Sequence, residues 1–515
     1  MDTATYDPTN VGNEPGDGPL RSGGKGLETD LLGEDNRPSK LSPLAKQQAD
    51  AVVVMRDVCA GAAQIRYRGE KYLPQAPGEK RPSYKDRLNR SVFFNATQRT
   101  VEGLAGLVFR KDPVLSDDPE TAVPDQIREH WENIDLQGTH GDVFCRNLFA
   151  DALTVGHAAL LVEYPTVRSD LNREEERQIG ARPYWIPLAK DNIISWRTEN
   201  EYGKQVLTQF VYKEVTWAPR GMFGERRIER YRVFYRKGGT VGFELIEIMA
   251  NNEMKLVGAG TYPTQTEIPI VEVPTNGSIG LFNSTPPLLD MAYLNIAHYQ
   301  QWSDYAYAIH KTNVPFLFGA GIRERTNPDG TPRGPVTIGP NTAVFEADPN
   351  AKMMYVSHGG QSLAESKQAL DDLKGDMGVL GLSLLLTPSR MAEKPETIRL
   401  RKSSSESPLA ASARMFQDAI ENALQLHANY LRLEQGGSVE INRDFEGLLI
   451  EAEVMGAFAQ LVNAGLPPGP VLAALKRGGR LAEDADLDEL EMEWLMGQQL
   501  NAALPSPNTE LMDEQ

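Results

Sequence analysis

The spacing of apolar positions changes along the chain, and each change marks a new kind of element. From Leu44 to Arg66 (AKQQADAVVVMRDVCAGAAQI and its flanks) apolar residues recur at helical spacing, and they do so again over about 89–109 and 141–158. Between the first two stretches, YLPQAPGEKRPSYKDR has the Pro, Gly and Lys content of a loop. The period then drops to two. ALLVEYP, PYWIPLAKDNIISW and QVLTQFVYKEVTW read as strands. In RYRVFYRKGGTVGFELIEI, Tyr231, Val233 and Tyr235 share one face and Arg230, Arg232 and Arg236 the other. Gly238 and Gly239 supply a hairpin turn, and Val241, Phe243 and Leu245 alternate on the return. IPIVEVP closes this β-rich block near Pro274.

A different pattern follows. Pro286–Thr312, PPLLDMAYLNIAHYQQWSDYAYAIHKT, opens with prolines and then reads as one helix whose aromatics do not keep to one side. Tyr293, Tyr299, Trp302, Tyr305 and Tyr307 point in several directions around its axis, and Asp290, Asp304 and Lys311 are its charged residues. Short strands come next (VPFLFGAGI, GPVTIGP, TAVFEAD, KMMYVSH), then a helix over about 361–385 and a loop, TPSRMAEKPETIRLRKSSSES, with five basic residues. Pro408 sits where a first-turn proline belongs, with Ser407 as the cap. The helix that follows carries Leu409, Ala413, Phe416, Ile420, Ala423, His427 and Tyr430 on a seam of four-three spacing. QGG ends it, SVEINRDF is a short strand, and the last helices break at LPPGP and RGG. Residues 1–40 have the composition of a disordered arm, and after Arg480 come ten acidic residues with no Lys or Arg. The fold class expected is α+β.

Composition narrows the function. At 515 residues and 40% hydrophobic, the chain can fill several cores, yet no apolar run approaches the ~20 residues that span a bilayer. MDTATYDPTNVGNEPGDGPL lacks a basic region followed by an apolar core, so no signal peptide is expected. Cys59 and Cys145 are too few for a disulfide framework or a zinc cluster and are expected as buried thiols. A net charge of −18 argues against sequence-specific nucleic-acid binding by the whole surface, but is compatible with handling DNA without holding it.

Motifs for catalysis fail on inspection. RSGGKG lacks the distant Gly and the Ser or Thr of a nucleotide loop, having Pro19 and Gly26 at those positions. FGAGIRE lacks a third Gly, and GLSLL lacks the last Gly of a nucleophile elbow. The seven histidines form no HExxH or close pair, and His427 on its apolar seam is expected as a hydrogen-bonded core residue. Asp371 and Asp372 are adjacent on a helix, about 100° apart, which suits a solvated face better than a metal pair. No catalytic residue, cofactor or metal is expected.

The order of elements and three stretches together carry a resemblance. They are YLP…YKDRLNRSVFFNATQRTVEGLAGLVFRKDP (Tyr72–Pro113, with Phe93, Phe94, Gly103 and Gly106), RPYWIPLAKDNIISW (Arg182–Trp196) and PPLLDMAYLNIAHYQQWSDYAYAIHKTNVPFLFGAG (Pro286–Gly321). In this order they resemble the portal, or head-to-tail connector, proteins of tailed bacteriophages, in a siphophage-type branch, over about residues 45–480.

The resemblance implies a portal fold: a wing with helical (41–160) and β-rich (161–284) parts after the arm 1–40, stem helices at 285–312 and 360–385, a small α/β clip at 313–359 between them, a tunnel loop at 386–403, a long wing helix and strand at 404–447, and a helical crown with acidic tail at 448–515. It implies a homo-oligomeric ring, usually dodecameric, at one capsid vertex, through which double-stranded DNA is packaged and ejected. Implied partners are DNA held non-specifically in the channel, the large terminase, head-completion or adaptor proteins, and the major capsid and scaffolding proteins, with no membrane. The location would be the virion, and the host cytoplasm during assembly. Tyr293, Tyr299, Trp302 and Tyr305 would make stem contacts between subunits, because a ring closed by a heterologous interface needs two different sticky faces. Arg390, Lys394, Arg399, Arg401 and Lys402 would face DNA phosphates, or pair with acidic residues of a neighbouring subunit. Arg323, Arg325 and Arg333 are candidate docking charges in the clip. The alternatives are another head-associated structural protein, such as a minor capsid or adaptor protein, and a DNA-packaging enzyme.

Overall fold

A computed structural model describes residues 37–165, 180–249, 253–276, 280–312, 316–320, 352–356, 361–383 and 407–443, with a few single positions besides. Helices and antiparallel sheets mix, and the chain divides into two compact units: Asn192–Ile268 with the residues up to Ser42, and Pro43–Asp191 with Pro269 onward.

The larger unit begins with α1 (Pro43–Cys59) and α2 (Ala62–Arg68), where sequence periodicity predicted one helix. The break falls at Gly61, whose φ of +84° no ordinary helical residue adopts. The stretch 89–109 is likewise two elements: α3 (Arg81–Arg90) begins inside the expected loop, 91–95 run without helix, and α4 (Ala96–Val108) restarts. Asn95 caps α4, its side chain accepting from the Gln98 N–H at 3.2 Å. Next come β1 (Val114–Leu115), α5 (Asp125–Trp131), which the pattern did not reveal, and α6 (Gly141–Val155). β2 (His157–Glu163) is buried at all seven residues, between β3 (Tyr184–Leu188) and, from later in the chain, β9 (Ile270–Pro274). Both pairings are antiparallel, with Leu160 opposite Pro187 on one side and Val271 on the other.

In the smaller unit β4 (Ile193–Glu201), β5 (Lys204–Arg220), β6 (Gly224–Lys237), β7 (Thr240–Ile248) and β8 (Met254–Thr261) form an antiparallel meander in sequence order. PYWIPLAKDNIISW is therefore not one strand: it turns at Lys190–Asn192 and feeds two different sheets. Nor does IPIVEVP close the meander, since β9 joins β2. The Gly238–Gly239 turn stands as read, both residues at positive φ between Lys237 and Thr240. Arg230, Arg232 and Arg236 do share a face, and each meets a glutamate: Glu247, Glu214 and Glu201. That face is not purely polar. Phe234 on it is fully buried against Phe210 and Phe243, while Tyr231 packs with Val211 and Ile194 on the opposite face.

The larger unit resumes with α7 (Leu289–Thr312), β10 (Phe316–Ala320), β11 (Lys352–Val356), α8 (Gln361–Ser383), α9 (Pro408–Leu431) and β12 (Val439–Glu440), the last paired with β1. α9 matches its sequence reading closely. Ser407 Oγ accepts from the Ala410 N–H at 3.2 Å, Pro408 occupies the first turn, and Leu409, Ala413, Phe416, Ile420, Ala423 and His427 are buried. Phe416 meets Phe149 of α6 and Phe109 edge-on, at 5.2 and 5.8 Å between ring centres. His427 is hydrogen-bonded as expected, to His130 of α5 at 2.9 Å.

Candidate assembly interface

Antiparallel packing of α7 and α8 makes a helical hairpin. A Cβ at Gly381 would come 3.2 Å from the Thr100 Cγ2 of α4, and Thr97 of α4 bonds Asn295 of α7, so the end of α8 returns to the first half of α7. At the other end β10 and β11 pair antiparallel, Phe316 opposite Val356 and Ala320 opposite Lys352. Residues 321–351 are inserted between those two strands.

Polar side chains fix the first half of α7 in the core. Asn295 is fully buried, and its Oδ1 accepts from the Ala96 N–H (3.1 Å), the Thr97 N–H (3.2 Å) and the Thr97 hydroxyl (3.1 Å). Its amide nitrogen donates to the Phe94 carbonyl at 2.6 Å. One side chain of α7 thus serves the first turn of α4, where helical N–H groups lack intrahelical acceptors, and takes up the Thr97 N–H in particular. Gln300 Nε2 donates to the Tyr72 carbonyl at 2.9 Å. Arg87 of α3 donates to Ser303 Oγ at 3.3 Å and pairs with Glu79 at 2.8 Å, a partnership that raises the guanidinium pKa and lowers that of the carboxyl. Two of the three stretches that carried the family resemblance, Tyr72–Pro113 and Pro286–Gly321, are here brought together.

Beyond Ser303 the helix leaves this support. No described residue from Asp304 to Thr312 is fully buried, a length of about 13 Å at 1.5 Å per residue. On α8, Leu370 and Met377 are buried, whereas Ala364–Ala369 are all exposed.

The four aromatics expected at subunit contacts are separated by this geometry. Tyr293 is half exposed. Trp302 and Tyr305 are half-buried neighbours, 5.9 Å between rings, and Trp302 stacks on His298. Tyr299 departs from the expectation: it is 1% exposed and packs edge-on to Phe93 at 5.7 Å, because α3 and α4 cover that side of α7. No surface of that ring remains for a second copy, and burial raises its hydroxyl pKa. His298, also buried, has no hydrogen-bond partner at either ring nitrogen among the described residues, and burial, with Lys374 of α8 nearby, lowers its pKa. The remaining sequence candidates, Arg323, Arg325, Arg333, Arg390, Lys394, Arg399, Arg401 and Lys402, lie outside the described residues, as do the arm to residue 36 and nearly all of 446–515.

Sequence reasoning missed Asn295 and Arg87, since neither belongs to a motif and the bonds that tie α7 to α3 and α4, Arg87 to Ser303 and Thr97 to Asn295, join residues far apart in the chain. Among the described residues no group of three His, Cys, Asp or Glu could hold a metal ion, and no helix is long and apolar enough to cross a membrane.

A family model described as a domain of unknown function, DUF4055, matches residues 287–431, from the proline before α7 to the last residue of α9. No curated protein matches the chain. Solved structures that resemble it include components of gene transfer agent particles. A chain from the neck of the native particle, computed with C12 symmetry, is 10% identical over 72% of this chain and 84% of its own, with a TM-score of 0.32. One from the native virion is 13% identical over 79% and 98%, at 0.33. One from the neck of the empty particle, computed with C6 symmetry, is 12% identical over 72% and 87%, at 0.35. Likeness at this level leaves the fold to be read from the chain's own geometry.

Proposed function

We propose that the chain is the subunit of a portal-type ring in a tailed-phage-like particle, a conduit for double-stranded DNA and a docking platform without enzymatic activity of its own. The observation that carries this reading is the hairpin of α7 and α8. It is rooted in the core at one end and closed by the β10–β11 pair at the other, with an insertion between those strands. A helix–insertion–helix stalk of this kind suits the stem and clip of a ring. Its emerging half exposes part of Trp302 and Tyr305, aromatics of the sort that anchor interfaces.

In this reading the stalks of successive copies pack side by side, and residues 313–359 form the docking end for the terminase and later the adaptor. The loop 386–403, which joins α8 to α9, brings Arg390, Lys394, Arg399, Arg401 and Lys402 to the channel, where contacts to phosphate are independent of base sequence. Capsid and scaffolding proteins surround the wing, and the ring resides in the virion. Twelve copies is the number proposed.

Native mass spectrometry of the purified full chain tests this. A closed species of one defined copy number, near twelve, is the expected result. A monomer that persists at tens of micromolar contradicts it.

A further inference from the structure

The meander contains a ribbon that its neighbouring strands do not cover. β4 accompanies β5 only as far as the Ile193–Tyr212 pair, and β7 accompanies β6 only as far as Arg230–Glu247. Past these points Val215–Arg220 and Gly224–Glu229 pair only with each other. At 3.3–3.4 Å per residue they form an arm of about 20 Å. A two-stranded ribbon is marginal in water and gains stability from a third surface.

Its composition is not that of a solvated loop. Val215 and Trp217 lie on the same side of β5 as Val211, so they extend the apolar face of the Val211–Tyr231 cluster toward the tip, and Trp217 is 63% exposed. The tip is Gly221-Met222-Phe223, with Met222 87% and Phe223 93% exposed. Turns at such positions are ordinarily built from Gly, Asn or Asp. Trp, Met, Phe and Arg are the residues enriched where proteins meet. The arm also differs in charge from the rest of the molecule. Residues 213–230 carry five basic and three acidic side chains in a chain of net charge −18. Arg227 pairs with Glu229, whereas among the described residues Arg220 and Arg226 have no carboxylate partner.

We propose that the β5–β6 arm is a clasp between copies: its apolar tip, flanked by Arg220 and Arg226, docks on an acidic surface of the adjacent copy of this chain. Charge selects that occupant, because a net-acidic second copy supplies the carboxylates that the arm's own surroundings do not. A heterologous ring contact also needs an element on every copy that reaches out to a different surface on the next. The proposal rests on the ring reading above.

The test places a photoreactive benzoylphenylalanine at Phe223 in full-length chain, mixes normal and nitrogen-15-labelled protein, and maps cross-links by mass spectrometry in assembled and dissociated samples. Cross-links joining a light to a heavy chain, on a peptide rich in Asp and Glu, are expected in the assembled sample. In parallel, W217S/M222S/F223S and R220E/R226E should each raise the concentration at which rings half-dissociate by at least tenfold. The charge variant's deficit should shrink as salt rises. Rings that form normally, with cross-links confined to one chain or formed only after DNA, anionic vesicles or another protein is added, overturn the clasp and leave the ring reading intact. Wild-type chain that forms no ring overturns both.

Discussion

Replacing Asn295 by alanine removes one amide that serves four partners across two helices. The Thr97 N–H in the first turn of α4 loses its acceptor, whereas the Ala96 N–H and the Phe94 carbonyl each lose one of two partners and keep each other at 2.9 Å. The Thr97 hydroxyl can rotate to another acceptor, but backbone groups cannot. A buried donor left without a partner costs ~1–3 kcal/mol. Thr97 is fully buried, so that range applies to its N–H, while the Ala96 N–H retains the Phe94 carbonyl as acceptor. Asn95 still caps the Gln98 N–H, which limits fraying of α4. The expected loss is therefore ~1–3 kcal/mol, a sizeable share of the ~5–15 kcal/mol that holds a domain folded. Urea unfolding followed by tryptophan fluorescence reads it as a lower midpoint. Wild type and variant should be compared at one protein concentration, because assembly itself adds apparent stability. Rings formed by the folded variant should also be less uniform, since α7 enters the stalk from this anchor. A midpoint equivalent to less than ~0.5 kcal/mol of destabilisation would refute the idea that Asn295 ties α7 to α4.

The aromatics of α7 should divide in the same assays. Tyr299→Ala should destabilise the larger unit by ~3–4 kcal/mol, while Trp302→Asp and Tyr305→Asp should leave the unfolding midpoint nearly unchanged and reduce ring formation in native mass spectra. Stability should fall as pH is lowered from about 6.5 toward 4. Burial holds His427 well below its ordinary 6.5, His157 far below it, and His130 at about 4, so the unfolded chain takes up protons that the folded chain refuses. Each such histidine contributes at most ~1.4 kcal/mol per pH unit, and Lys190, pushed down to about 7 by burial, adds to them near pH 7. Glu272, pushed up to about 7 by burial, opposes them by less than the three histidines supply, so urea midpoints at pH 7 and pH 5 should differ in the direction of acid weakness. Changing Arg390 and Lys394 together to glutamine should weaken DNA retention in filled particles and flatten its salt dependence, and retention like wild type at every salt concentration would remove those residues from the channel.

What the sequence made legible was local. The seam of α9 could be read because its cap, its first-turn proline and its four-three spacing agree with one another. The Gly238–Gly239 hairpin could be read because the turn chemistry sits between two alternating strands. Where several weak signals had to be ranked, local reading merged elements. α1 and α2 looked continuous because Gly61 lies in a run of small apolar residues that hides its positive φ. The break at 91–95 is fixed mainly from outside, by Asn295 some two hundred residues away. Tyr299 and Trp302 are equivalent in one dimension; they differ because α3 and α4 cover only one length of α7. The His130–His427 contact joins residues 297 apart in sequence, beyond the reach of any spacing rule. The roots of β5 and β6 were legible as strands, up to Trp217 and from Arg230, but the arm beyond them became evident only once the strands were seen to run on past the ends of β4 and β7.

The central claim is that this chain closes into a ring around a passage for DNA. Electron cryomicroscopy of the purified full-length protein tests it most directly. Class averages showing closed rings of one copy number, with a central hole that admits a DNA duplex and stalks placed side by side around it, are the predicted result. Particles without a central hole, or single copies at concentrations where Trp302→Asp and wild type behave alike, would contradict it.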